Sequence, residues 1–288
     1  CSLMNFSMLV VKTINELRSE LNKIDDSSDV GLVPTMGALH QGHMSLLEKA
    51  LSENKKVVVS IFVNPTQFNN TEDLEKYPKT LDNDVDLISS ISKNIIVFAP
   101  AVAEIYHDKV KTKIYDFAGL DKVMEGEFRD NHFNGVGTIV ETLFSLVKPK
   151  RAYFGEKDFQ QLRIIQKLVE IQKIPVEIIG CEIVRENHGL AMSSRNERLS
   201  TTIRQNAAFI YETLKIAKYK FGMESVLKVK DWVAKQFDNS ADFKLEYFEI
   251  TDVETLTPAK NKNIDIKYRA FIAVYVEGVR LIDNIAIN

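Results

Sequence analysis

The sequence predicts a doubly wound parallel α/β sheet followed by a smaller α+β domain, on three observations. Short apolar runs alternate with helix-period segments as far as about residue 184. Turn-forming residues, Gly, Pro and Asn above all, follow several of those runs. Beyond about Arg185 the alternation stops, and two helical stretches lead into segments of strand period.

Taken in order, the first helix is expected over Thr13 to Ile24, with Thr13 and Glu16 as a capping box and Ile14, Leu17, Leu21 and Ile24 on one face. Buried strands are expected at Val30 to Val33, Val57 to Val63, Ile95 to Phe98, Ala152 to Phe154 and Val176 to Ile179. The intervening helices read as His43 to Glu53, Asp82 to Ser92, Thr138 to Val147 and Asp158 to Gln172. In the second half, helices are expected over Thr202 to Lys220 and Glu224 to Phe237. Strands follow at Lys244 to Val253 and Tyr268 to Val276, the latter turning through Glu277-Gly278 into Val279 to Ile285. No sharp linker appears, and the expected domains are 1–183 and 184–288.

Composition excludes several classes. At 288 residues, 45% hydrophobic and 27% charged, the chain is long enough to bury a core of ordinary size. Its 37 Lys+Arg nearly cancel 40 Asp+Glu, so no global field favours nucleic acid or an anionic membrane, and any phosphate chemistry needs a local cluster. Cys1 and Cys181 cannot build a disulfide framework or a multi-cysteine zinc site, which suits a reducing cytoplasm. No apolar run approaches the ~20 residues of a membrane span, and the start of the chain lacks the pattern of a signal peptide. Residues 1–7 are set apart from the fold argument, because the first residue is Cys rather than Met.

In a sheet of this kind ligands meet the carboxyl ends of the strands, so the segments just after each run carry the candidate chemistry. Pro34-Thr35-Met36-Gly37-Ala38-Leu39-His40-Gln41-Gly42-His43 joins the first such strand to a helix. Free backbone N–H groups and the helix dipole attract an anion there, and His40 and His43 can each donate to a phosphate. The competing reading makes the histidines helix caps or a metal pair, and a zinc site lacks a third ligand nearby. There is no Gly-x-x-x-x-Gly-Lys-Ser/Thr loop, and Gly135-Val136-Gly137 reads as a loop entering a helix rather than a dinucleotide fingerprint.

Phe62-Val63-Asn64-Pro65-Thr66-Gln67-Phe68 closes the next strand and sets the neutral amides of Asn64 and Gln67 at the sheet edge, where they can fix hydroxyl and carboxylate groups. The acidic run Asp82-Asn83-Asp84 is better read as capping the next helix than as a magnesium site. Gly155-Glu156-Lys157-Asp158 again joins strand to helix. Lys157 can neutralise phosphate, Asp158 can cap the helix or accept from a ribose, and Gln161 falls about one turn further on. Met192-Ser193-Ser194-Arg195 supplies hydroxyls and a guanidinium that suit a triphosphate, or alternatively a Ser-capped polar hinge.

Together PTMGALHQGH, FVNPTQF, YFGEKDFQQL and LAMSSRN, in this order, resemble the pantothenate synthetase (pantoate–β-alanine ligase) family of the His-x-Gly-His nucleotidyltransferase superfamily. The likeness runs from about Val33 to Leu199 and is weaker at Arg280-Leu281-Ile282-Asp283-Asn284-Ile285. It implies a Rossmann-like domain, a lid-like second domain and a homodimer. It implies that ATP, with Mg²⁺, activates pantoate as pantoyl adenylate, which the amine of β-alanine then attacks to give pantothenate and AMP. It assigns Met36, Gly37, Ala38, Leu39, His40, Gln41, Gly42 and His43 to ATP, with His43 as a proton donor. Gly155, Glu156, Lys157, Asp158, Val184 (through its backbone), Met192, Ser193, Ser194 and Arg195 complete the nucleotide set, and Gln67 and Gln161 hold pantoate, Gln67 also touching β-alanine. His40, His43, Lys157 and Arg195 would offset the repulsion between a carboxylate and the phosphate it attacks. Asn134 and the interruption of the acidic cluster by Asn83 depart from the family pattern, and no metal ligand is assigned. Two rival functions are adenylate transfer to a phosphate acceptor, against which the neutral Gln67 and Gln161 argue, and a nucleotide-sensing module without turnover, against which the full set of cations argues.

Overall fold

The computed structural model describes residues 8–26 and 29–288; residues 1–7, set apart above, lie outside them. Six strands, β1 (Leu9–Val11), β2 (Val30–Thr35), β3 (Lys56–Ile61), β4 (Ile95–Phe98), β5 (Arg151–Gly155) and β6 (Glu177–Cys181), form one sheet in the order β1-β4-β3-β2-β5-β6. Every pairing in it is parallel. Val57, Val58 and Val59 are all fully buried, as are Ile95 through Phe98, which is why these strands read as continuous apolar runs: helices cover both faces. One of those faces packs Val33, Val57, Val59 and Val97 against Met44, Leu47 and Ile88.

The helices are α1 (Ile14–Leu21), α2 (Gln41–Glu53), α3 (Thr71–Lys76), α4 (Leu81–Ile91), α5 (Val102–Tyr106), α6 (Glu125–Phe128), α7 (His132–Val147), α8 (Phe159–Ile171), α9 (Thr201–Asn206), α10 (Ala208–Phe221) and α11 (Val226–Asp238). Thr13 caps α1 through Glu16 N, as the sequence pattern requires. Two expectations need correction. Gly135-Val136-Gly137 is not a loop but the interior of α7. A Cβ on Gly135 would lie 2.3 Å from the Thr66 carbonyl oxygen, and one on Gly137 2.8 Å from the Tyr115 ring, so close packing demands the glycines despite their poor helix propensity. The long helix expected over Thr202 to Lys220 is two helices, broken at Ala207.

The chain packs as two compact units. The first runs to Phe117 and resumes over Arg129–Glu156 and Gln161–Cys181; the second comprises Ala118–Phe128, Lys157–Gln160 and Glu182–Asn288. The second is built on the antiparallel sheet β7 (Lys244–Asp252), β8 (Tyr268–Val276) and β9 (Val279–Ala286). Glu277 and Gly278, at φ 49° and 71°, make the tight turn between β8 and β9. Leu214, Val229, Val233, Ile250, Ile272 and Val274 form the centre of its core, with α10 and α11 against the sheet. The two short early segments join this unit through tertiary contacts that no sequence period signals.

Candidate active site

In the first unit the strand order reverses at β2, whose neighbours are β3 on one side and β5 on the other, and this is where such sheets place their ligands. Gly31 pairs with Arg151 and Leu32 with Ala152, a register that ends β2 and β5 together at Thr35 and Gly155. The loops Met36 to His40 and Glu156 onward therefore leave the sheet from adjacent strands.

The first loop is held from within. Gly37 (φ 82°) and Ala38 (φ 50°) take the left-handed conformation. Gly37 N donates to Thr35 Oγ1 at 3.2 Å, while Ala38 N and Leu39 N donate to the two carboxylate oxygens of Asp84 at 3.0 and 2.9 Å. Asp84 is buried and accepts also from Thr80 Oγ1. The expectation that the acidic run caps α4 is thus corrected: Thr80 holds the cap position, its hydroxyl donating to Asp84 rather than accepting from a helix N–H, and Asp84 braces a loop 46 residues earlier. The expectation of free loop N–H groups for an anion is corrected too, because Gly37, Ala38, Leu39, His40 and Gly42 all donate to side chains. Asp84→Ala is expected to cost about 1–3 kcal/mol for each N–H left unpaired and to weaken ATP binding; urea unfolding together with calorimetry checks both.

His40 and His43 cap α2 as a reciprocal pair, with ring centroids 4.1 Å apart. Gly42 N donates to His40 Nδ1 at 3.1 Å and His40 N to His43 Nδ1 at 3.2 Å. With each Nδ1 accepting, the proton of each neutral ring sits on Nε2. A ring held through Nδ1 carries its N–H on the opposite edge, so capping and hydrogen-bond donation are compatible in the same side chain.

Gln67 lies in the turn Pro65–Gln67 and meets the first loop directly, its Nε2 donating to Met36 Sδ at 3.3 Å. Its Oε1 accepts from Asn64 Nδ2 at 3.1 Å. Asn64 is itself buried and fully engaged, accepting from Thr66 Oγ1 and Tyr106 Oη and donating to the Gly135 carbonyl. It orients Gln67 rather than facing a substrate. The buried His132, which sequence reasoning did not single out, donates from Nδ1 to the Gln67 carbonyl at 2.7 Å; the acceptor is a carbonyl, so this ring carries its proton on Nδ1. No local pattern marks it, because its partner lies 65 residues away. Gln161 occupies a half-buried position on the first turn of α8.

Cys181 ends β6 in the core, where burial pushes its thiol up to about 11 and leaves it a packing residue. Among the described residues no cluster of three His, Cys, Asp or Glu side chains could hold a metal ion.

In the second unit Lys157 and Asp158 belong to the short turn Glu156–Asp158, with Nζ 3.7 Å from the Asp158 carboxylate. Val184 and Met192 are joined across a narrow ribbon by Met192 N donating to the Val184 carbonyl at 2.9 Å. Ser193 caps the turn Ser194–Arg198 by accepting from Arg195 N, so one of the two hydroxyls has the hinge-capping role. Asn196, buried, donates to Glu186 and to the Ala191 carbonyl and fixes the base of this loop.

A parallel sheet with a capped histidine pair at its point of reversed strand order defines a doubly wound α/β protein whose ligand loop follows a central strand. The chain belongs to the pantoate-beta-alanine ligase family, whose model matches residues 9–286. The pantothenate synthetase of Christiangramia forsetii is 55% identical over 280 residues, covering 97% of each chain. That of Flavobacterium psychrophilum is 53% identical over 282 residues, 98% of this chain and 100% of its own. Among solved structures, pantothenate synthetase from Thermus thermophilus matches with a TM-score of 0.89 at 39% identity, over 97% of this chain and 99% of its own. The pantoate-beta-alanine ligase of Francisella tularensis, complexed with beta-gamma ATP and beta-alanine, matches at 0.81 and 36% identity over 97% of each chain.

Proposed function

We propose that the two histidines, Lys157 and Arg195 activate a carboxylate on ATP and that the residues named from the sequence are its ligands. The chain is a pantoate–β-alanine ligase: it condenses pantoate with β-alanine at the expense of ATP through pantoyl adenylate, releasing pyrophosphate and AMP. A pantoate carboxylate oxygen attacks the α-phosphorus as the bond to pyrophosphate breaks. The amine of β-alanine then attacks the acyl carbon, and AMP departs with the bridging oxygen. No enzyme nucleophile is required, so catalysis rests on alignment and on fixed donors meeting the developing charge.

Met36, Gly37, Ala38, Leu39, His40, Gln41, Gly42, His43, Gly155 and Glu156 of the first unit, and Lys157, Asp158, Val184, Met192, Ser193, Ser194 and Arg195 of the second, are assigned to ATP. The observation that carries this reading is the reciprocal histidine cap, which makes each Nε2–H a donor while the loop amides are engaged elsewhere. Gln67 and Gln161 are assigned to pantoate, with Gln67 also meeting β-alanine. Gln67→Ala is expected to weaken pantoate by roughly 1–3 kcal/mol with ATP affinity unchanged; calorimetry showing equal pantoate affinity would remove the assignment.

Magnesium is proposed to enter with the triphosphate, as an ion that keeps several of its waters and binds largely through substrate phosphates. When bound it supplies neutralisation of phosphate charge. A homodimer and a cytoplasmic location are proposed from the family resemblance, and sedimentation equilibrium tests the first. No helix among the described residues is long and apolar enough to cross a membrane. The reaction itself is tested by AMP formation that requires pantoate and β-alanine together; AMP formed equally well with a phosphate acceptor in their place would point to the rival transferase.

A further inference from the structure

The motif Arg280-Leu281-Ile282-Asp283-Asn284-Ile285 has no part in the reaction described so far, yet two of its residues reach the nucleotide segments of the second unit. Asp283 and Asn284 lie on β9 and are both buried. Asn284 Nδ2 donates to the Lys157 carbonyl at 2.9 Å, and its Oδ1 accepts from Arg269 Nε at 2.7 Å. The Arg269 guanidinium in turn lies 4.4 Å from the Phe159 ring centroid, and Phe159 also packs against Phe271. A single amide therefore fixes the turn on both sides of Asp158: directly at Lys157, and through Arg269 at Phe159.

Its neighbour holds the other segment. Asp283 takes a two-pronged bond from Arg185, Nη1 to Oδ2 at 2.6 Å and Nη2 to Oδ1 at 2.9 Å, and accepts from Asn284 N at 2.7 Å. Arg185 also donates to the Gly189 carbonyl and lies over the Tyr211 ring at 3.6 Å. It opens the ribbon that runs from Val184 to Met192, closed by the Arg185–Ala191 bridge and by Glu186 N to the Leu190 carbonyl at 2.8 Å. Gly189 (φ 110°) turns that ribbon where a Cβ would stand 2.9 Å from the Tyr211 ring. Consecutive residues in a strand point to opposite faces, but here the bond from Asn284 N to the Asp283 carboxylate couples the two anchors into one unit.

We propose that Asp283 and Asn284 are positioning residues for ATP recognition, one strand setting the placement of Lys157 and of the Val184–Met192 ribbon together. The inference rests on the assignment of Lys157 to ATP. The Lys157 side chain is only 20% exposed, and fixing its backbone carbonyl sets the point from which that side chain starts, which narrows the region its amine can reach.

The test uses the full chain and its Asn284→Asp variant, which keeps an oxygen for Arg269 but cannot donate to the Lys157 carbonyl. Lys157 is acetylated with trace acetic anhydride at increasing ATP, and its modification is read by peptide mass spectrometry alongside initial rates. In the unaltered protein ATP protects Lys157. In the variant half-protection needs about tenfold more ATP and the KM for ATP rises by a similar factor, while the KM for pantoate hardly moves, whatever fall in melting temperature the buried charge brings. Protection at the same ATP concentration in both proteins, or a fall in melting temperature with no change in the KM for ATP, overturns the proposal and leaves the assignment of Lys157 intact. Absence of protection in the unaltered protein overturns that assignment and the proposal with it. If the variant does not fold, Asp283→Asn, which keeps one oxygen for Arg185 Nη2 and Asn284 N but loses the acceptor for Arg185 Nη1 and the charge, carries the same comparison.

Discussion

His43→Ala is expected to slow pantoyl adenylate formation by about 10²–10³-fold, the usual cost of removing one donor aimed at a developing negative charge. Two functions leave with the ring. Nε2–H is lost as a donor, and Nδ1 is lost as the acceptor for His40 N, a cap worth ~1 kcal/mol. His43→Asn separates them, since its amide oxygen can restore the cap without placing a donor where Nε2 stood. Its stability should approach that of the unaltered protein while the rate stays low. Lys157→Ala is expected to lose a similar factor. Rapid-quench single turnovers with saturating ATP and pantoate read the step directly, and a rate within threefold of the unaltered protein would show that neither group meets the reacting phosphate.

Arg280→Ala is expected to destabilise the second unit by roughly 3–5 kcal/mol, because it leaves buried carboxylates without their counter-charge. Arg280 donates to both oxygens of Glu125 at 2.6 Å and to Glu246 at 2.8 Å, and Tyr247 Oη donates to Glu125 at 2.7 Å. All three charged side chains are largely withdrawn from solvent, with 17% of Arg280, 8% of Glu125 and 12% of Glu246 exposed. Burial disfavours the charged guanidinium, but the two carboxylates outweigh it and hold Arg280 protonated still more firmly than usual. Glu125→Gln is the milder change, since Arg280 retains Glu246. This cluster also ties Ala118–Phe128 into the second unit, a task shared with Gln160, whose amide donates to the carbonyls of Leu120 and Val123 and accepts from Glu125 N. Guanidinium unfolding followed by circular dichroism measures the loss, and a change below 1 kcal/mol would mean that water reaches the cluster.

The parallel sheet was legible because buried strands are written as unbroken β-branched runs, and Val57 to Val59 and Ile95 to Phe98 could be little else. β1 escaped because its three residues give no period to read, and α3 because a six-residue polar helix has no apolar stripe. The start of α7 was misread because glycine argues locally for a loop, whereas Gly135 answers to the carbonyl of Thr66, far away in sequence. The same division holds at the site. Motif spacing singled out the proposed site residues His40, His43, Lys157 and Gln67, which follow β2, β5 and β3 in the chain. The residues that orient them, Asp84, His132, Asp283 and Asn284, act across 45 to 127 positions of sequence, and no local pattern ties them to those partners.

Reversible activation of a carboxylate by adenylation is the central step of the reaction, and isotope exchange tests it with one substrate withheld. Labelled pyrophosphate is incubated with the enzyme, ATP and pantoate in the absence of β-alanine, and the label in ATP is followed. Exchange is expected to depend on pantoate, to fall by about 10²–10³-fold in His43→Ala, and to arise before any amine is present. Enzyme that forms pantothenate when β-alanine is added, yet exchanges no label in its absence even with pyrophosphate in excess, would contradict an adenylate formed ahead of the amine.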